Sequence, residues 1–453
     1  MAFEYFPNFH YTYEHLAGPG ERLRDQNDEP FGEEGGPNGW IRLLTIEKPL
    51  AEPKKKKVAT QPKHGRVTNG GRTRNVRIPK PTKPDPPNPS EPVPGQLMCR
   101  LTIHDKDKAP PYEALSWVWG NDGALRKSVR IWSNDKPPLA KEIKITEQLE
   151  IALKAVRDKN KERVIWVDAL CVNQRDPKEK AREMGMMHLI YSKASHVTIW
   201  LGKAADNSDF IPAFIKKILS NNLEAVEELV KGVDFVKKWG ALSNLMRREW
   251  FTRRWCVQEV AFAKKAFLHF GTRSKVPWQD FADTVRLVED WREDIERLLV
   301  RHDAQNLEAK LWDHVDIAAP GAQSLVALLN NFFRKESGNL ERLASIETVL
   351  CSLSSYDVKV PRDAVYSLIQ LGKDTCNMQD LKPDYKCSTL KVYKEFIEKV
   401  FQKSKSLDIV SGGEFPLSFI KSSLLHTNLS FHFVLMAKTW SSIVTFVDVP
   451  EQC

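Results

Sequence analysis

The sequence lacks the features that direct a chain into a membrane or through the secretory pathway. No run of eighteen apolar residues occurs among its 453 residues, so no transmembrane helix is predicted. The N-terminus has no basic stretch followed by an apolar one, and we expect no secretory signal. These absences predict a cytoplasmic protein without a membrane partner.

The sequence also lacks the common motifs for binding metals and nucleotides. The seven cysteines are odd in number and contain no CxxC pair, which favours reduced thiols and argues against a metal site. No GxGxxG motif follows a predicted strand, and no GxxxxGKS or GxxxxGKT motif occurs. The sequence therefore has neither a Rossmann dinucleotide fingerprint nor a P-loop. We expect no bound metal and no cofactor.

Positive charge is concentrated in one segment. The net charge is +9, but residues 51–96 alone hold eleven Lys and Arg against three acidic residues. This local excess argues against a nucleic-acid partner, because the remaining chain is close to neutral. The run Lys54–Lys57 resembles either a nuclear-import patch or a solvated charge run. Nuclear entry, and with it the alternative of a DNA-associated regulator, therefore stays open.

Composition and apolar periodicity divide the chain into five segments. Pro-rich and Lys-rich composition cannot bury enough apolar surface to fold, so one of these segments is predicted to be a disordered insert. In chain order the segments are an N-terminal segment with a first strand at 1–48, the insert at 49–96, a core at 97–272, a helical region at 273–410 and a divergent tail at 411–453.

The core alternates strands and helices. Residues 99–103 alternate apolar and polar side chains, which predicts a half-buried strand beside a first strand at Ile41–Ile46. Amphipathic helices separate four further apolar stretches, which are typical of buried strands: Ala114–Val118, Val164–Val167, Val197–Leu201 and Ala266–Phe270. This alternation predicts an α/β fold with a mainly parallel sheet flanked by helices.

Three polar residues lie near the ends of predicted strands. Ser116 is near the end of the strand Ala114–Val118, and Asp168 directly follows the strand Val164–Val167. Glu259 is near the start of a helix that leads to the strand Ala266–Phe270. Sheets of this type bind ligands beyond the carboxyl ends of their strands. The sequence therefore predicts a site that combines these three side chains.

Glu259 is the candidate catalytic residue. Helical spacing places the Trp255 ring on its face, and a carboxylate in an aromatic pocket suits a developing positive charge. Cleavage of a ribose–nicotinamide bond passes through an oxocarbenium-like state that such a carboxylate stabilises. The alternative is structural, because Glu259 could instead pair with Arg253, Arg254 or Lys264 near the helix start.

The candidate substrate-binding residues are Asp168, Ser116, Trp255 and Trp119. We expect Asp168 and Ser116 to orient ribose and the two tryptophans to wall the pocket. A structural alternative exists for Asp168, which could cap the turn that follows its strand. Cys171 lies in an apolar string and His188 on a Met-rich helix, so we expect both to be packed in the core.

The tryptophan-bearing blocks resemble the fungal heterokaryon-incompatibility (HET) domain family. They read YEALSWVWG at Tyr112–Gly120, VDALCVNQ at Val167–Gln174, VTIWLG at Val197–Gly202 and RRWCVQE at Arg253–Glu259. The resemblance extends over about residues 40–410. It implies a role in fungal non-self recognition that ends in programmed cell death. It also implies partnership with copies of the same chain, as a homo-oligomer, or with other incompatibility proteins.

The string Trp255–Val260 also resembles the WCLxEL string of Toll/interleukin-1 receptor (TIR) domains. In NAD-cleaving TIR proteins this string carries the catalytic glutamate. The resemblance implies a TIR-like, flavodoxin-like sheet and an NAD glycohydrolase in which Glu259 is catalytic and NAD is the substrate. The alternative is a non-enzymatic interaction domain that assembles in the same pathway.

Overall fold

The computed structural model describes the greater part of the chain. The described residues are 39–49, 96–120, 125, 127–132, 140–220, 223–271, 274–305, 320–336, 339–378 and 381–404. The predicted insert, except for its two end residues, and the predicted tail lie outside these ranges. Within them, no helix is long and apolar enough to cross a membrane.

In the part of the chain that the structure describes, nine strands form one sheet, in the spatial order β5-β4-β2-β1-β6-β3-β7-β8-β9. In chain order the strands are β1 (Trp40–Ile46), β2 (Met98–Asp105), β3 (Glu113–Ser116), β4 (Lys127–Trp132), β5 (Ala140–Ile145), β6 (Arg163–Trp166), β7 (Val197–Trp200), β8 (Ala266–Phe270) and β9 (Ser274–Pro277). The six strands expected from apolar patterns are all present. The expected pairing across the insert is confirmed, because β1 and β2 are antiparallel neighbours.

The centre of the sheet is parallel and its flanks are mixed. β3 pairs in parallel with both β6 and β7, and β7 pairs in parallel with β8. If β3, β6, β7 and β8 are renumbered 1 to 4 along the chain, their spatial order in the sheet is 2-1-3-4. This is the strand order of flavodoxin-like sheets. β1 joins β6 in antiparallel fashion, as do β5 with β4 and β9 with β8. The predicted parallel sheet is therefore confirmed for the core, and antiparallel strands extend it.

Thirteen α-helices lie in the described residues. They are α1 (Glu147–Val156), α2 (Asp168–Cys171), α3 (Pro177–Lys193), α4 (Ile211–Ser220), α5 (Leu223–Lys231), α6 (Val236–Met246), α7 (Trp255–Ala261), α8 (Trp278–Asp290), α9 (Arg292–Gln305), α10 (Pro320–Phe332), α11 (Ile346–Ser352), α12 (Asp363–Tyr366) and α13 (Thr389–Ser404). A hairpin of β10 (Phe333–Glu336) and β11 (Asn339–Arg342) interrupts the predicted helical region.

Local sequence explains where the long core helices begin. Thr146 caps α1 by accepting a hydrogen bond from the Leu149 backbone N–H at 3.2 Å. Asp176 caps α3 in the same way, with the Lys178 N–H as donor at 2.9 Å, and Pro177 occupies the first helical position. Such caps satisfy N–H groups that lack partners within the helix, and proline at the first position has no N–H to lose.

A buried ion pair fixes α3 against the sheet. The Arg42 guanidinium of β1 donates to Glu179 Oε1 at 2.8 Å and to the Cys171 carbonyl at 2.8 Å. Arg42 and Cys171 are almost fully buried. Cys171 is packed in the core as expected, and burial raises the pKa of its thiol to about 12. The His188 ring packs against Phe262, and burial lowers its pKa to about 4.

Candidate active site

A hydrogen-bonded chain joins the end of β3 to α7. Ser116, the last residue of β3, donates its hydroxyl proton to Glu259 Oε2. Trp250 Nε1 donates in turn to Ser116 Oγ at 2.7 Å. Because an indole N–H can only donate, the Ser116 oxygen is the acceptor from Trp250 and its own proton is directed at Glu259. The structure therefore brings Ser116 and Glu259 into direct contact.

The position of Trp250 was not anticipated from the sequence. It lies in a 3-10 turn, Glu249–Thr252, just before α7. Its ring is fully buried and packs edge-on against Phe251. The sequence signal for it was its place in the tryptophan-bearing stretch REWFTRRWCVQE, Arg248–Glu259, which also contains Glu259. Nothing in helical spacing places a residue of a 3-10 turn against the end of β3.

Burial dominates the electrostatics of Glu259. The side chain is only 5% exposed, and loss of hydration raises its pKa to about 7. The Arg253 guanidinium and the Ser116 hydroxyl oppose this rise, whereas Asp168 adds to it. A carboxylate with a pKa near neutrality is typical of functional sites, and it leaves both protonation states of Glu259 populated near pH 7.

The raised pKa of Glu259 predicts how stability depends on pH. The folded pKa is about 7 against an ordinary 4.5, so the folded state holds this proton more tightly than the unfolded one. The resulting stabilisation is fully present below the unfolded pKa and is lost as the pH rises through 7, by roughly 3 kcal/mol in all. We expect the free energy of unfolding of wild type, minus that of Glu259→Gln, to fall by about this amount.

Denaturant unfolding of both proteins, measured at intervals from about pH 4 to pH 8, checks this expectation. Using the difference between wild type and Glu259→Gln removes the contributions of other titrating groups, such as the buried Glu183. A difference that stays constant over this pH range would contradict a raised pKa at Glu259.

Asp168 is held by two indoles. It follows β6 as the first residue of α2, and its carboxylate accepts from Trp117 Nε1 at 2.8 Å and Trp119 Nε1 at 2.7 Å. The two rings stack with centroids 5.7 Å apart. Asp168 Oδ1 also accepts from the Ala169 N–H at 2.8 Å, so the carboxylate caps its own turn as well. Burial raises the pKa of Asp168, and the two indole hydrogen bonds act against this rise.

Arg253 links the two carboxylates. Its guanidinium donates to the Trp117 carbonyl, and its charge acts on both Glu259 and Asp168. We call Ser116, Asp168, Trp250, Arg253 and Glu259 the inner cluster. Asp168 and Arg253 are partly exposed, whereas the other three members are buried. Of the inner cluster, Asp168 and Arg253 therefore lie nearest to solvent.

Trp255 lies away from the inner cluster. Its Nε1 donates to Asp363 Oδ2 at 3.0 Å, and the other oxygen of Asp363 accepts from the Tyr385 hydroxyl at 2.8 Å. The structure thus brings Ser116, Asp168 and Glu259 together, places Trp119 on Asp168, and turns Trp255 towards a residue 108 positions later in the chain. Spacing along α7 could not reveal a partner so distant in sequence.

The region after the core completes the site by binding α7. The buried Arg254 guanidinium donates to three carbonyls, those of Ala364 at 3.1 Å, Leu353 at 2.6 Å and Tyr356 at 3.3 Å. Gln258 Nε2 donates to the Ser367 carbonyl at 2.6 Å. One face of the short α7 therefore carries Glu259 into the inner cluster, while other side chains attach the helix to residues 353–367.

The fold and the inner cluster define a class of protein. It is an α/β protein with a flavodoxin-like strand order. The carboxylates of the inner cluster lie at the carboxyl ends of β3 and β6. The strand order reverses next to them, between β3 and β7, and such a point is where sheets of this type bind ligands. Residues 112–259 match the family described as Heterokaryon incompatibility protein (HET). This part of the chain is therefore similar to the HET domain.

A curated relative extends this similarity beyond the matched domain. The chain is 25% identical over 353 residues to Heterokaryon incompatibility protein 6, OR allele, of Neurospora crassa. The alignment covers 68% of this chain and 50% of that protein, so the chain spans about half the length of the relative. No solved structure matches the chain significantly.

Proposed function

We propose that the chain acts in fungal heterokaryon incompatibility and triggers programmed cell death by hydrolysing NAD at Glu259. The HET domain and the similarity to an incompatibility protein of Neurospora crassa support the role in non-self recognition. The resemblance of Trp255–Val260 to the glutamate-bearing string of NAD-cleaving TIR proteins supports the enzymatic step. The observation that carries this step is the buried Glu259 carboxylate bonded to Ser116 beside the sheet's switch point.

The proposed reaction consumes one water molecule. The bond between ribose C1′ and the nicotinamide nitrogen breaks, and its electron pair leaves with nicotinamide, which departs as a neutral molecule. Water attacks C1′ and releases a proton, so that the products are nicotinamide, ADP-ribose and a proton. Ionised Glu259 stabilises the positive charge that develops on the ribose ring. A second, acidic carboxylate is not needed to protonate the leaving group.

The hydrogen bonds of the inner cluster suit this role. The directed chain from Trp250 through Ser116 to Glu259 offers a donor to the carboxylate, which favours its ionised form. Asp168 is partly exposed near the mouth of the cluster, where it could accept a ribose hydroxyl. Its two indole donors, Trp117 and Trp119, fix its orientation. Such preorganisation means that the site need not reorganise during the reaction.

Glu259 must become accessible before NAD can react. At 5% exposure it is screened from solvent, and the partly exposed Arg253 and Trp119 lie on the route to it. Within the described residues, the Arg253 guanidinium forms one hydrogen bond, to the Trp117 carbonyl, beside its charge interactions with Glu259 and Asp168. We propose that contact between copies of the chain shifts Arg253 and opens this route. NAD cleavage then depends on self-association.

Incubation of the purified full chain with NAD tests the proposed function. We expect nicotinamide release, measured by chromatography, and we expect the rate per molecule to increase with protein concentration because opening requires contact between copies. Absence of nicotinamide at the highest soluble concentration would contradict the enzymatic proposal. A rate per molecule that is independent of concentration would contradict opening by self-association.

A second candidate function is a non-enzymatic assembly domain in the same pathway. It is favoured by the closure of the inner cluster, in which protein groups already bond Ser116, Asp168 and Glu259. In this case the inner cluster stabilises the fold, and surface contacts between chains transmit the signal. This candidate predicts that cell killing survives Glu259→Gln and fails when surface contacts are altered.

A further inference from the structure

A second polar cluster contacts α7 through Trp255. Asp363 is its centre, with Trp255 and Tyr385 donating to its two oxygens at 3.0 and 2.8 Å. The Lys180 ammonium of α3 lies 4.7 Å from the centroid of the Tyr385 ring, and Arg362 precedes Asp363 in the chain. We call Lys180, Trp255, Arg362, Asp363 and Tyr385 the outer cluster.

Two cations of the outer cluster form no hydrogen bond or close ion pair within the described residues. Within the described part of the chain, the Lys180 ammonium and the Arg362 guanidinium have no hydrogen-bonded or ion-paired partner, and Arg362 Nε is buried. Both oxygens of the nearby Asp363 are already bonded to the neutral donors Trp255 and Tyr385. A buried polar donor without a partner is costly, so Arg362 Nε has unused capacity to bind an anion. The half-buried Lys180 ammonium can add a second positive charge.

Lys180 connects the outer cluster with the inner one. Burial lowers the pKa of its ammonium and Arg362 acts in the same direction, while Asp363 and Asp168 both act to raise it. Lys180 therefore lies within electrostatic reach of a carboxylate from each cluster. Trp255 supplies a second connection, because it lies one helical turn before Glu259 on α7 and bonds Asp363.

The chemistry of the two cations selects a phosphate. A guanidinium offers a planar fork of donors that fits two phosphate oxygens, and an ammonium adds a compact charge with three donors. Tyr385 covers the Lys180 charge with an aromatic face. Two such cations suit a ligand that carries more than one phosphate, because each can neutralise a separate negative charge.

We propose that Lys180 and Arg362 bind the diphosphate of the dinucleotide whose ribose is cleaved at the inner cluster, an inference that rests on the proposed NAD hydrolysis. The cations hold the diphosphate from α3 and from the segment before α12, on either side of Tyr385. The nicotinamide ribose then extends past Lys180 towards Asp168 and Glu259. Because Arg362 lies outside the residues matched by the HET family, the region after the domain would supply half of the subsite.

Comparing two substrates tests this subsite. NAD carries the diphosphate, whereas nicotinamide riboside has the same scissile bond and no phosphate. We expect Lys180→Gln and Arg362→Gln each to lower kcat/KM for NAD about tenfold or more, and to change it less than about twofold for nicotinamide riboside. The control is Lys178→Gln, which removes an exposed charge from the same helix and should leave both substrates unaffected.

Equal losses of kcat/KM for the two substrates, or an unchanged kcat/KM for NAD, would overturn the subsite while leaving NAD hydrolysis in place.

Calorimetric titration of the full chain with inorganic pyrophosphate tests the subsite separately from NAD hydrolysis, because it requires no catalysis. We expect wild type to bind pyrophosphate and Lys180→Gln to bind it at least about tenfold more weakly. If wild type cleaves no NAD and this difference is still seen, hydrolysis fails and the anion subsite stands. Equal affinity of wild type and Lys180→Gln overturns the subsite.

Discussion

Replacing Glu259 by Gln is expected to lower the rate of nicotinamide release about 100-fold to 1,000-fold, the range found when one preorganised electrostatic group is removed from an active site. The amide has the shape of the carboxylate and keeps an oxygen that accepts from Ser116. It carries no charge, so it cannot stabilise the oxocarbenium-like state. The folded structure should be retained, because burial already favours a neutral side chain at this position.

The pH dependence of the same reaction adds a second readout. Since the ionised carboxylate is the active form and its pKa is about 7, nicotinamide release by wild type should rise with pH through 7 and then level off. The matched control is Glu249→Gln, which removes an exposed carboxylate just before α7. Wild-type rates in Glu259→Gln would remove Glu259 from the mechanism, and a rate that falls through pH 7 would contradict the ionised form as the active one.

Replacing Arg254 by Met is expected to destabilise the folded chain by about 3 kcal/mol or more. The three carbonyls of Leu353, Tyr356 and Ala364 lose a buried, charged donor, and each acceptor left unsatisfied costs roughly 1–3 kcal/mol. Burial lowers the pKa of Arg254 only to about 10, so the guanidinium is charged at neutral pH. Methionine resembles the aliphatic part of the Arg254 side chain but lacks the guanidinium, so the measured loss of stability is due mainly to the missing hydrogen bonds.

Denaturant unfolding measures this loss, with Arg247→Met as the control. Arg247 is exposed at the end of α6, so its replacement should change the free energy of unfolding by less than about 0.5 kcal/mol. Similar stability of the two variants would contradict the attachment of α7 to residues 353–367 through Arg254. Because α7 also carries Glu259, Arg254→Met should lower any NAD cleavage along with stability.

The parallel centre of the sheet was predictable because a strand that is buried on both faces is apolar along its length, which is easily recognised in a sequence. Strands β6 (RVIW) and β7 (VTIW) are mostly apolar and lie between amphipathic helices, which is the pattern expected of short buried strands. The outer strands β4, β5 and β9, which lie at or next to the edges of the sheet, were not identified. Polar residues alternate with the few buried apolar ones, which are Val129 and Ile131 in β4, Ile143 and Ile145 in β5, and Val276 in β9.

The composition of the inner cluster was predictable in part, and for a topological reason. Ser116 and Asp168 end or follow parallel strands, whose carboxyl ends meet at one edge of a sheet. Glu259 could be added because its helix leads into the next parallel strand. The roles of Trp250 and Arg253 depend on contacts across the folded core, which no local periodicity encodes.

Trp255 illustrates the limit of helical spacing. Its position one turn before Glu259 is correct, yet its indole donates to Asp363 on α12. A side chain at the start of a helix can contact groups from different neighbouring segments. Which of them it bonds depends on residues far away in the sequence, and helical spacing gives no information about those. The same partner explains why the region after the core belongs to the site, because it holds Trp255, Arg254 and Gln258 at once.

The most direct test of the central claim is the viability of fungal cells that express the full chain as wild type or as Glu259→Gln at equal protein levels. Cleavage of NAD through Glu259 predicts that wild type kills the cells and depletes their NAD, whereas cells with Glu259→Gln survive with normal NAD content. Equal killing by both proteins would contradict the claim and would favour the assembly function.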